Sequence, residues 1–402
     1  MAIIVQKFGG SSLAGVQRVQ SVAWIIAEKY TEGNDMVVVL SAQGDTTDEL
    51  IAKAIEINPN PSKRELDVLL STGEQASVAI MAMALEKLGL PVVSLIGWQI
   101  GMQTNSEYGN ARIKGVSCER IREELDRRRI VIIAGFQGVN KFDDVTTLGR
   151  GGSDTTAVAV AVALHADLCQ IYTDVEGVYT ADPREVKGAL KLDAITYDEM
   201  LEMASLGARV LHNRSVEMAK RYGVKLEVLS SFVRAPGTKV KEVTKMELTK
   251  ISGVVKDANI ARIALVGLLD EPGVAFKIFR VLANAKINVD IILQSIGRGD
   301  TKDISFTVAR GDMENAVSVL EENKSVIGYS NISTTDKIVK VSIVGAGMMS
   351  APGIASMMFE ALFEAKVNIE MISSSEIKIS VLVAENDADR AVMAIHEKFF
   401  GF

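Results

Sequence analysis

The chain has 402 residues, of which 48% are hydrophobic and 24% charged, the composition of a folded globular protein with two or three domains. Its formal net charge of −7 leaves no excess of basic residues to neutralise a nucleic acid or an anionic membrane surface, so neither is an expected partner. The two cysteines lie far apart and the histidines show no metal-ligand spacing, which argues against a metal site and indicates a reducing cytoplasm.

The amino terminus, MAIIVQKFGG, is predicted to form the first strand. It has too few apolar residues before Gln6 and Lys7 for the core of a signal peptide. No apolar run approaches the roughly 20 residues that span a bilayer. We therefore expect a cytoplasmic protein that is neither secreted nor embedded in a membrane.

Short aliphatic segments alternate with segments of helical periodicity through the first half of the chain. The predicted strands are AIIVQKF, MVVVLSA, PVVSLIG, RIVIIAGF and LCQIYTD, and the predicted helices include VQRVQSVAWIIAEKY and REELDRRR. The segment AVAVAVAL is also compatible with a strand, but its glycine-rich start, the preceding DTT and its alanine content favour a helix. The alternation predicts an α/β domain with a largely parallel sheet.

The first predicted strand leads into a turn rich in glycine and serine, VQKFGGSSL. In it Lys7 precedes Gly9, Gly10 and Ser11, and a helical segment follows. Glycines let the backbone approach a ligand closely, and a lysine at the end of a strand can neutralise a phosphate. The motif indicates a phosphate site, although a tight turn capped by serine has the same residues.

Two further polar segments are predicted to lie where strands end. They are VVVLSAQGDTTDEL, with Ser41, Gly44, Thr47 and Asp48, and LLSTGEQAS, with Ser71, Thr72, Gly73 and Glu74. Each segment taken alone is better explained as ordinary helix capping. Together they place polar side chains outside the carboxyl ends of strands, where open α/β sheets bind ligands.

The segment GRGGSDTTA, 149–157, combines three glycines with the start of the predicted AVAVAVAL helix. The first turn of a helix presents free N–H groups, so such a site favours anions. Asp154 nevertheless places a carboxylate there. We interpret Asp154 as a group that holds a cation beside bound anions, and the alternative is that it only caps the helix.

The segment YTDVEGVYTADPR, 172–184, follows the predicted strand LCQIY. Its two tyrosines, two aspartates and one arginine suit a loop that contacts a base, a ribose and phosphates. A solvated loop, in which Arg184 pairs with Asp182 or Glu185, is an equally good interpretation.

From about Arg262 the chain repeats itself, because RIALVGLLDEPGVAFKIFRVLANAKINVDIILQS is echoed by KVSIVGAGMMSAPGIASMMFEALFEAKVNIEMISSS. Each copy is predicted to run strand, helix, strand, strand, helix. The second copy ends without a last strand, which predicts strands shared between the two units. The predicted divisions are a domain over 1–245, a linker over 246–261, and repeat units over 262–337 and 338–402.

The motifs KFGGSSL, SAQGDTTDEL, STGEQ, GRGGSDTTA and YTDVEGVYTADPR, in this order and before paired repeats, closely resemble those of monofunctional aspartokinases. The resemblance covers essentially the whole chain. It implies an α/β amino-acid-kinase fold with a mainly parallel sheet flanked by helices, followed by two α+β ACT-like units of ferredoxin-like type. It also implies transfer of the γ-phosphoryl group of ATP to the side-chain carboxylate of L-aspartate, the first step toward lysine, threonine and methionine.

The matching positions carry the site residues that the resemblance implies. The catalytic residues would be Lys7 and Asp154. The nucleotide contacts would be Lys7, Phe8, Gly9, Gly10, Ser11, Ser41, Thr173, Asp174, Tyr179, Asp182, Arg184 and Arg209. The aspartate pocket would consist of Thr47, Asp48, Glu74, Arg150, Gly151, Gly152, Ser153 and Asp154. Two positions depart from the family pattern: Arg209 stands where many relatives have lysine, and HNRS stands where HPRS is common.

These residue types suit the implied reaction. An aspartate carboxylate, with a reference pKa of about 3.9, is ionised at neutral pH, so no general base is required. Charge repulsion opposes the reaction, and Lys7, the glycine loops and Mg²⁺ held mainly by the nucleotide would reduce it. Glu74 would take the substrate ammonium, while Arg150 would fork onto its α-carboxylate.

The repeats would bind lysine or threonine as effectors. The implied contacts are Asp270, Gly273, Ala275, Asn288, Asp290, Gln294, Asn368, Ile369, Ser375 and Glu376. The alternative is a purely structural repeat in which the two asparagines cap turns. Paired units predict a homo-oligomer, because each small sheet leaves an edge to cover. In some relatives an internal start, here near Met246, yields a separate small subunit.

Three other functions fit parts of the sequence. Relatives that phosphorylate glutamate, acetylglutamate, carbamate or a nucleoside monophosphate share the fold, but Glu74 in STGEQ and the paired repeats argue against them. A catalytically silent amino-acid sensor is opposed by the intact Lys7, GGSS and GRGGSD. A dehydrogenase would rest on GAGMMS, 345–350, which we interpret as a turn because its counterpart GLLDEP lacks the dinucleotide pattern.

Overall fold

The structure, a computed structural model, describes residues 1–208, 210–242, 251–295 and 301–401, apart from the side chains of 349 and 350. Arg209 and Met246, both singled out by the sequence, lie outside these residues. The described chain divides into two compact units. The first comprises the described residues of 1–180 and 190–248, and the second comprises those of 181–189 and 249–402.

The first unit contains every strand and helix predicted for the first half of the chain. Its strands are β1 (Ile3–Phe8), β2 (Asp35–Leu40), β3 (Val92–Leu95), β4 (Gln103–Thr104), β5 (Ile113–Gly115), β6 (Ile130–Ala134), β7 (Gln137–Val139), β8 (Val145–Thr147), β9 (Leu168–Thr173), β10 (Ala194–Thr196), β11 (Leu226–Ser230) and β12 (Thr238–Lys241). Its helices are α1 (Val16–Thr31), α2 (Thr46–Ile57), α3 (Lys63–Lys87), α4 (Glu119–Asp126), α5 (Gly152–Leu164), α6 (Tyr197–Ser205) and α7 (Asn213–Tyr222).

The described residues of this unit form an eight-stranded sheet in the order β10, β12, β11, β9, β1, β2, β6, β3. The strands from β11 to β3 are parallel neighbours, and β12 runs antiparallel to β11 near one edge. The central strands β2 and β6 are apolar without alternation and almost wholly buried, as expected for parallel strands covered on both faces. The loops after β1, β2, β6, β9 and β11 therefore leave from the same edge.

Helices cover the two faces of this sheet. Residues such as Phe8, Met36 and Ile132 pack with the buried side chains of α1 and α3 on one face. On the other face Val39 lies beside Ser153 of α5, around Gly135, where an added Cβ would come within 2.7 Å of the serine oxygen. A smaller sheet of β5, β4, β7 and β8 completes the unit among the described residues.

The segment AVAVAVAL is helical, as predicted. It forms most of α5, whose side chains are buried almost all round. Alternating alanine and valine suits this position because small side chains let a helix pack closely on several sides, and a helix that is apolar all round belongs in a core.

The longest helix of the first unit, α3, carries the STGEQ segment in its middle. This corrects the prediction that STGEQ lies at the end of a strand. Among the described residues, α3 is long and apolar enough to cross a membrane by length and composition alone, a test that core helices also pass. It packs against β3, β6 and β8 and supplies Val78, Met81 and Leu85 to the core, so its apolar residues serve the fold.

The second unit contains two four-stranded sheets among its described residues. Its strands are β13 (Gly253–Asp257), β14 (Ala261–Leu269), β15 (Val289–Gln294), β16 (Thr301–Val308), β17 (Asn331–Thr335), β18 (Ile338–Val344), β19 (Met371–Ser374) and β20 (Lys378–Ala384). Its helices are α8 (Val274–Asn284), α9 (Met313–Glu322), α10 (Lys324–Ile327), α11 (Ile354–Glu364) and α12 (Ala388–Phe400). The strand orders are β15, β16, β14, β17 and β19, β20, β18, β13, and all pairings are antiparallel.

The sequence repeat is reproduced in the backbone. Helices α8 and α11 both begin after a glycine with positive φ, 97° at Gly273 and 92° at Gly353. Both end before a lysine with positive φ, 60° at Lys286 and 55° at Lys366. The strand that the second copy lacks at its end is replaced by β13, which precedes the first copy and pairs with β18.

Candidate active site

A cleft of about 270 Å³ lies at the carboxyl edge of the large sheet. It is lined by Lys7, Gly9, Gly10, Ser41, Ala42, Gly44, Thr47, Glu74, Phe136, Gly149, Arg150, Gly151, Gly152, Ser153 and Asp154. The segments after β1, β2 and β6, the start of α5 and the middle of α3 meet there. Four of the five polar motifs predicted from the sequence therefore share one cleft.

A buried ion pair lies in this cleft. Lys7 Nζ, on β1, lies 2.7 Å from Asp154 Oδ1, and the two side chains are only 12% and 11% exposed. Asp154 is in the first turn of α5, but the N-cap is Gly151, so Asp154 does not cap the helix in the way the alternative supposed. Its carboxylate fixes the lysine ammonium beside the free N–H groups of α5, and the result is a compact site for an anion.

The glycine loop after β1 is packed against the loop after β2. Gly44 N donates to Gly10 O at 2.9 Å, and Ser41 N donates to Phe8 O at 3.1 Å. A Cβ at Gly10 would lie 2.7 Å from Ala42 O and 3.0 Å from Gly44 O, so only glycine fits without displacing backbone. This loop can therefore bring its backbone N–H groups to a ligand beside Lys7.

Glu74 places a second carboxylate in the cleft, from the middle of α3. It is 3% exposed, and its Oε1 accepts a hydrogen bond from Ala42 N at 3.0 Å. Its Oε2 is buried without a hydrogen-bond partner among the described residues. Burial raises the pKa of Glu74 to about 7, only partly countered by backbone N–H donors. A carboxylate with an unused oxygen is suited to bind a cationic group of a ligand.

Some predicted site residues lie elsewhere in the first unit. The Phe8 side chain is fully buried and stacks on Tyr172 with ring centroids 4.5 Å apart, so only its backbone is near the cleft. Ser11 and Asp48 are exposed and do not line the cleft. Thr173 is hydrogen-bonded to Asp174 in the loop after β9, and neither lines the cleft.

The rest of the fifth motif divides between the units. Tyr179 is in the first unit, where its backbone forms an isolated antiparallel β-bridge with that of Lys191. Asp182 and Arg184 belong to 181–189, which groups with the second unit. Arg184 Nη2 lies 2.7 Å from Asp182 Oδ2, the pairing that the alternative interpretation allowed, and hydrogen bonding from Arg184 lowers the pKa of Asp182. Arg209 lies outside the described residues.

The predicted effector residues lie at matching places in the two repeats, next to α8 and β15 and next to α11 and β19. Most of their side chains are exposed. Two are paired within the chain: Asp270 with Lys302 at 2.8 Å, and Asp290 with Lys340 at 2.5 Å. Lys340 is 4% exposed and belongs to β18, so its pair with Asp290 joins the second repeat to the first.

Sequence reasoning missed several residues that shape the cleft. Ala42 and Phe136 line it, and Phe136 has a φ of 68°, which is unusual for a residue with a side chain. Arg214, noted only as part of HNRS, donates to Leu148 O at 2.6 Å, just before the GRGGSD loop. The departure of that motif from the family pattern was the only available signal.

Comparisons with known proteins extend over the whole chain. Residues 2–230 match the model of the amino acid kinase family, and residues 263–323 and 341–399 match that of the ACT domain. The aspartokinase of Bacillus sp. (strain MGA3) is 48% identical over 400 residues, which cover 99% of this chain and 97% of that protein.

Two solved structures of E. coli aspartokinase III are also similar. The complex with aspartate and ADP in the R-state has a TM-score of 0.86 at 27% identity, covering 99% of this chain and 100% of that one. The complex with lysine and aspartate in the T-state has a TM-score of 0.77 at 28% identity, covering 99% of each chain.

Proposed function

The chain belongs to the aspartokinase family and is therefore a kinase, and from this premise we propose that it phosphorylates the side-chain carboxylate of L-aspartate to form 4-phospho-L-aspartate. Relatives at about half identity over the full length carry the name aspartokinase. The dehydrogenase and silent-sensor alternatives lose their basis, because residues 345–350 lie inside an ACT match and the kinase cleft keeps its polar residues.

The observation that carries the proposal is the charge arrangement of the cleft. Lys7, fixed by Asp154 beside the start of α5, provides positive charge where a phosphoryl group would be transferred. Glu74 provides a carboxylate oxygen without a partner among the described residues, suited to an ammonium group, and the exposed guanidinium of Arg150 lines the same cleft and would fork onto a carboxylate. An α-amino acid with a second carboxylate is the acceptor that uses all three.

In the proposed mechanism the acceptor carboxylate attacks without losing a proton, because it is already ionised. The chain orients the two substrates and reduces their repulsion with Lys7 and the N–H groups of Gly9, Gly10 and the start of α5. A Mg²⁺ ion bound through the nucleotide would supply further positive charge to the phosphates.

We extend the proposal to the remaining predicted contacts. Thr173, Asp174, Tyr179 and Arg184 would contact the nucleotide, and Arg184 would first have to leave Asp182. Thr47 and the Gly151–Asp154 segment would enclose the amino acid, supported by their presence in the cleft. The pathway would be that toward lysine, threonine and methionine.

The second unit is proposed to bind lysine, threonine or both as feedback inhibitors. Support comes from its two ACT matches and from the similar E. coli aspartokinase III, which was solved in complex with lysine. The predicted positions next to α8 and β15, and next to α11 and β19, are mostly exposed and would receive the effector. The edge strands β15 and β19 would pair with a second copy of the chain.

The test is Mg²⁺-dependent ADP release from ATP with L-aspartate, L-glutamate, N-acetylglutamate or no acceptor, each repeated with lysine, threonine and both. Hydroxylamine in the assay traps an acyl phosphate as a hydroxamate and so identifies the product. Of these acceptors, we expect only aspartate to support turnover. We expect at least one of the effectors to reduce the rate of that turnover. Equal turnover without an acceptor, or no hydroxamate, would contradict the proposed reaction.

A further inference from the structure

Arg214, near the start of α7, is hydrogen-bonded to the residue that precedes the GRGGSD loop and to the segment beside it. Arg214 Nη1 donates to Leu148 O at 2.6 Å and to Asn110 Oδ1 at 3.4 Å, while Nη2 donates to Ala111 O at 2.9 Å. Leu148 directly precedes the loop, and Asn110 and Ala111 belong to the segment packed along it. The Arg214 guanidinium therefore donates hydrogen bonds to two backbone segments, one at Leu148 and one at Ala111.

A buried carboxylate fastens the same two segments from α3. Asp67, 1% exposed, accepts hydrogen bonds from Gly109 N at 2.9 Å and from Thr147 N at 2.8 Å. Ala111 N also donates to Thr147 O at 2.9 Å. The segments around 109–111 and 147–148 are thus hydrogen-bonded to each other and to side chains of α3 and α7. These bonds fix the backbone just before the loop that starts at Gly149.

His212, the N-cap of α7, packs against the GRGGSD loop at Gly151. Gly151 has a φ of 69°, and a Cβ there would overlap the ring of His212. The loop is therefore in contact with α7 at Leu148 and at Gly151. Arg150, whose side chain is exposed in the cleft, lies between these two contacts.

The three acceptors that the Arg214 guanidinium contacts are neutral, and burial lowers its pKa, partly opposed by the charge of Glu217. Burying part of a charged group costs free energy unless its hydrogen bonds are made, and here neutral acceptors make them. Arginine offers a planar fork of donors that can reach two carbonyls at once, which lysine cannot do. Both features indicate that the geometry of the fork, rather than its charge, is what this position uses.

We propose that Arg214 is a positioning residue for the amino-acid site, which fixes the GRGGSD loop so that Arg150 meets the substrate in the correct geometry. The inference rests on the proposed function, since the substrate in question is aspartate. The backbones of Lys7 and Gly10 are held by β1 and the loop after β2, and Asp154, which pairs with Lys7, lies in the first turn of α5 rather than between Leu148 and Gly151. Loss of Arg214 should therefore impair use of aspartate much more than use of ATP.

The experiment compares Arg214→Met and Arg214→Lys with the wild-type chain. A small displacement of positioning residues can lower the rate by about 10²-fold, so we expect kcat/KM for aspartate to fall roughly ten- to a hundredfold. Most of this should be a rise in KM, because Arg150 would no longer bind the substrate carboxylate. The KM for ATP should change less than about twofold. Arg214→Lys should be impaired nearly as much as Arg214→Met. Hydrogen exchange of the amides of 148–153 should become faster in both variants.

Arg129→Met is the matched control. Arg129 is a partly exposed arginine at the opposite edge of the sheet, bonded to Glu124, which Arg120 and Arg127 also contact. This variant should keep both KM values. Unchanged kinetics in Arg214→Met, equal increases in both KM values, or full rescue by Arg214→Lys would each overturn the inference. A wild-type chain without aspartate turnover would instead contradict the proposed function, and this role of Arg214 with it.

Discussion

Glu74 shows how burial changes the chemistry of a side chain in the cleft. Its pKa is raised from 4.5 to about 7 because a buried carboxylate loses its hydration and has one oxygen without a partner. Between pH 4.5 and about 7, Glu74 is therefore mostly protonated in the folded protein and mostly ionised in the unfolded chain. Above pH 7 this group destabilises the ligand-free protein, and below pH 4.5 it has no such effect.

Glu74→Gln should therefore stabilise the ligand-free protein at pH 8, by up to about 3 kcal/mol, with the difference disappearing as the pH falls toward 4.5. The same variant should raise the KM for aspartate at least about tenfold, since it cannot pair with an ammonium group. Urea unfolding at several pH values and steady-state kinetics measure the two effects. A variant less stable than wild type at pH 8 would show that Glu74 is not a strained, unpaired carboxylate.

Asp154 is paired with Lys7 and is not the N-cap of α5, so its proposed role rests on its charge. Asp154→Asn preserves the volume of the side chain but leaves the Lys7 ammonium without its partner, so we expect kcat to fall by about 10²-fold together with a loss of thermal stability. Asp198→Asn is the matched control, because Asp198 is also a carboxylate in the first turn of a helix paired with a lysine, Lys220. Near-normal turnover in Asp154→Asn would remove the assigned role.

At the scale of elements, the site depends on loops that leave the same edge of a parallel sheet. The short 3-10 turn that follows β1 has no side-chain cap at its start. Its backbone is held instead by hydrogen bonds from the loop after β2. Parallel order places these loops side by side, although 30 or more residues separate them in the sequence.

Gly10→Ala tests this contact between loops. The new Cβ would press on the carbonyls of Ala42 and Gly44, and overpacking of this kind costs about 1–3 kcal/mol. We expect a lower melting temperature and a KM for ATP raised at least about tenfold. Gly115→Ala is the control, because a Cβ there meets open space. If Gly10→Ala bound ATP as wild type does, the loop would not be a phosphate site.

At the scale of the whole molecule, the second unit leaves apolar residues uncovered on its edge strands. Ile292 of β15 is 50% exposed and Ile372 of β19 is 44% exposed. Both strands pair on one side only among the described residues. An unpaired strand with exposed apolar side chains is an unfavourable surface for an isolated chain and a suitable one for self-association.

The double variant Ile292→Lys with Ile372→Lys should shift the protein to a smaller species in sedimentation velocity. Charge on an edge strand opposes pairing with another strand. Turnover without effector should persist, whereas inhibition by lysine or threonine should weaken. Met83→Lys, at an exposed apolar residue of α3, provides the control. An unchanged assembly would place any oligomer contact elsewhere.

The sequence by itself determined the kind of protein, because its strongest signals are local. Strands β1, β2, β6 and β9 follow from short apolar runs, and the glycine loops follow from residues that only special backbone geometry requires. The repeat of α8 in α11 was visible as repeated letters, and the structure reproduces it down to the positive φ at Lys286 and Lys366. The family followed from the order of these motifs.

Tertiary structure decided what depends on contacts between distant residues. STGEQ lies within α3, since tertiary packing of a long helix outweighed the local polar signal. Segment 181–189 groups with the second unit because Ala181 and Val186 are buried in its core. Strand β13 completes a sheet by pairing with β18, which lies far along the chain. The Lys7–Asp154 pair, the raised pKa of Glu74 and the hold of Arg214 on Leu148 also depend on three-dimensional proximity and burial, neither of which is visible in the sequence.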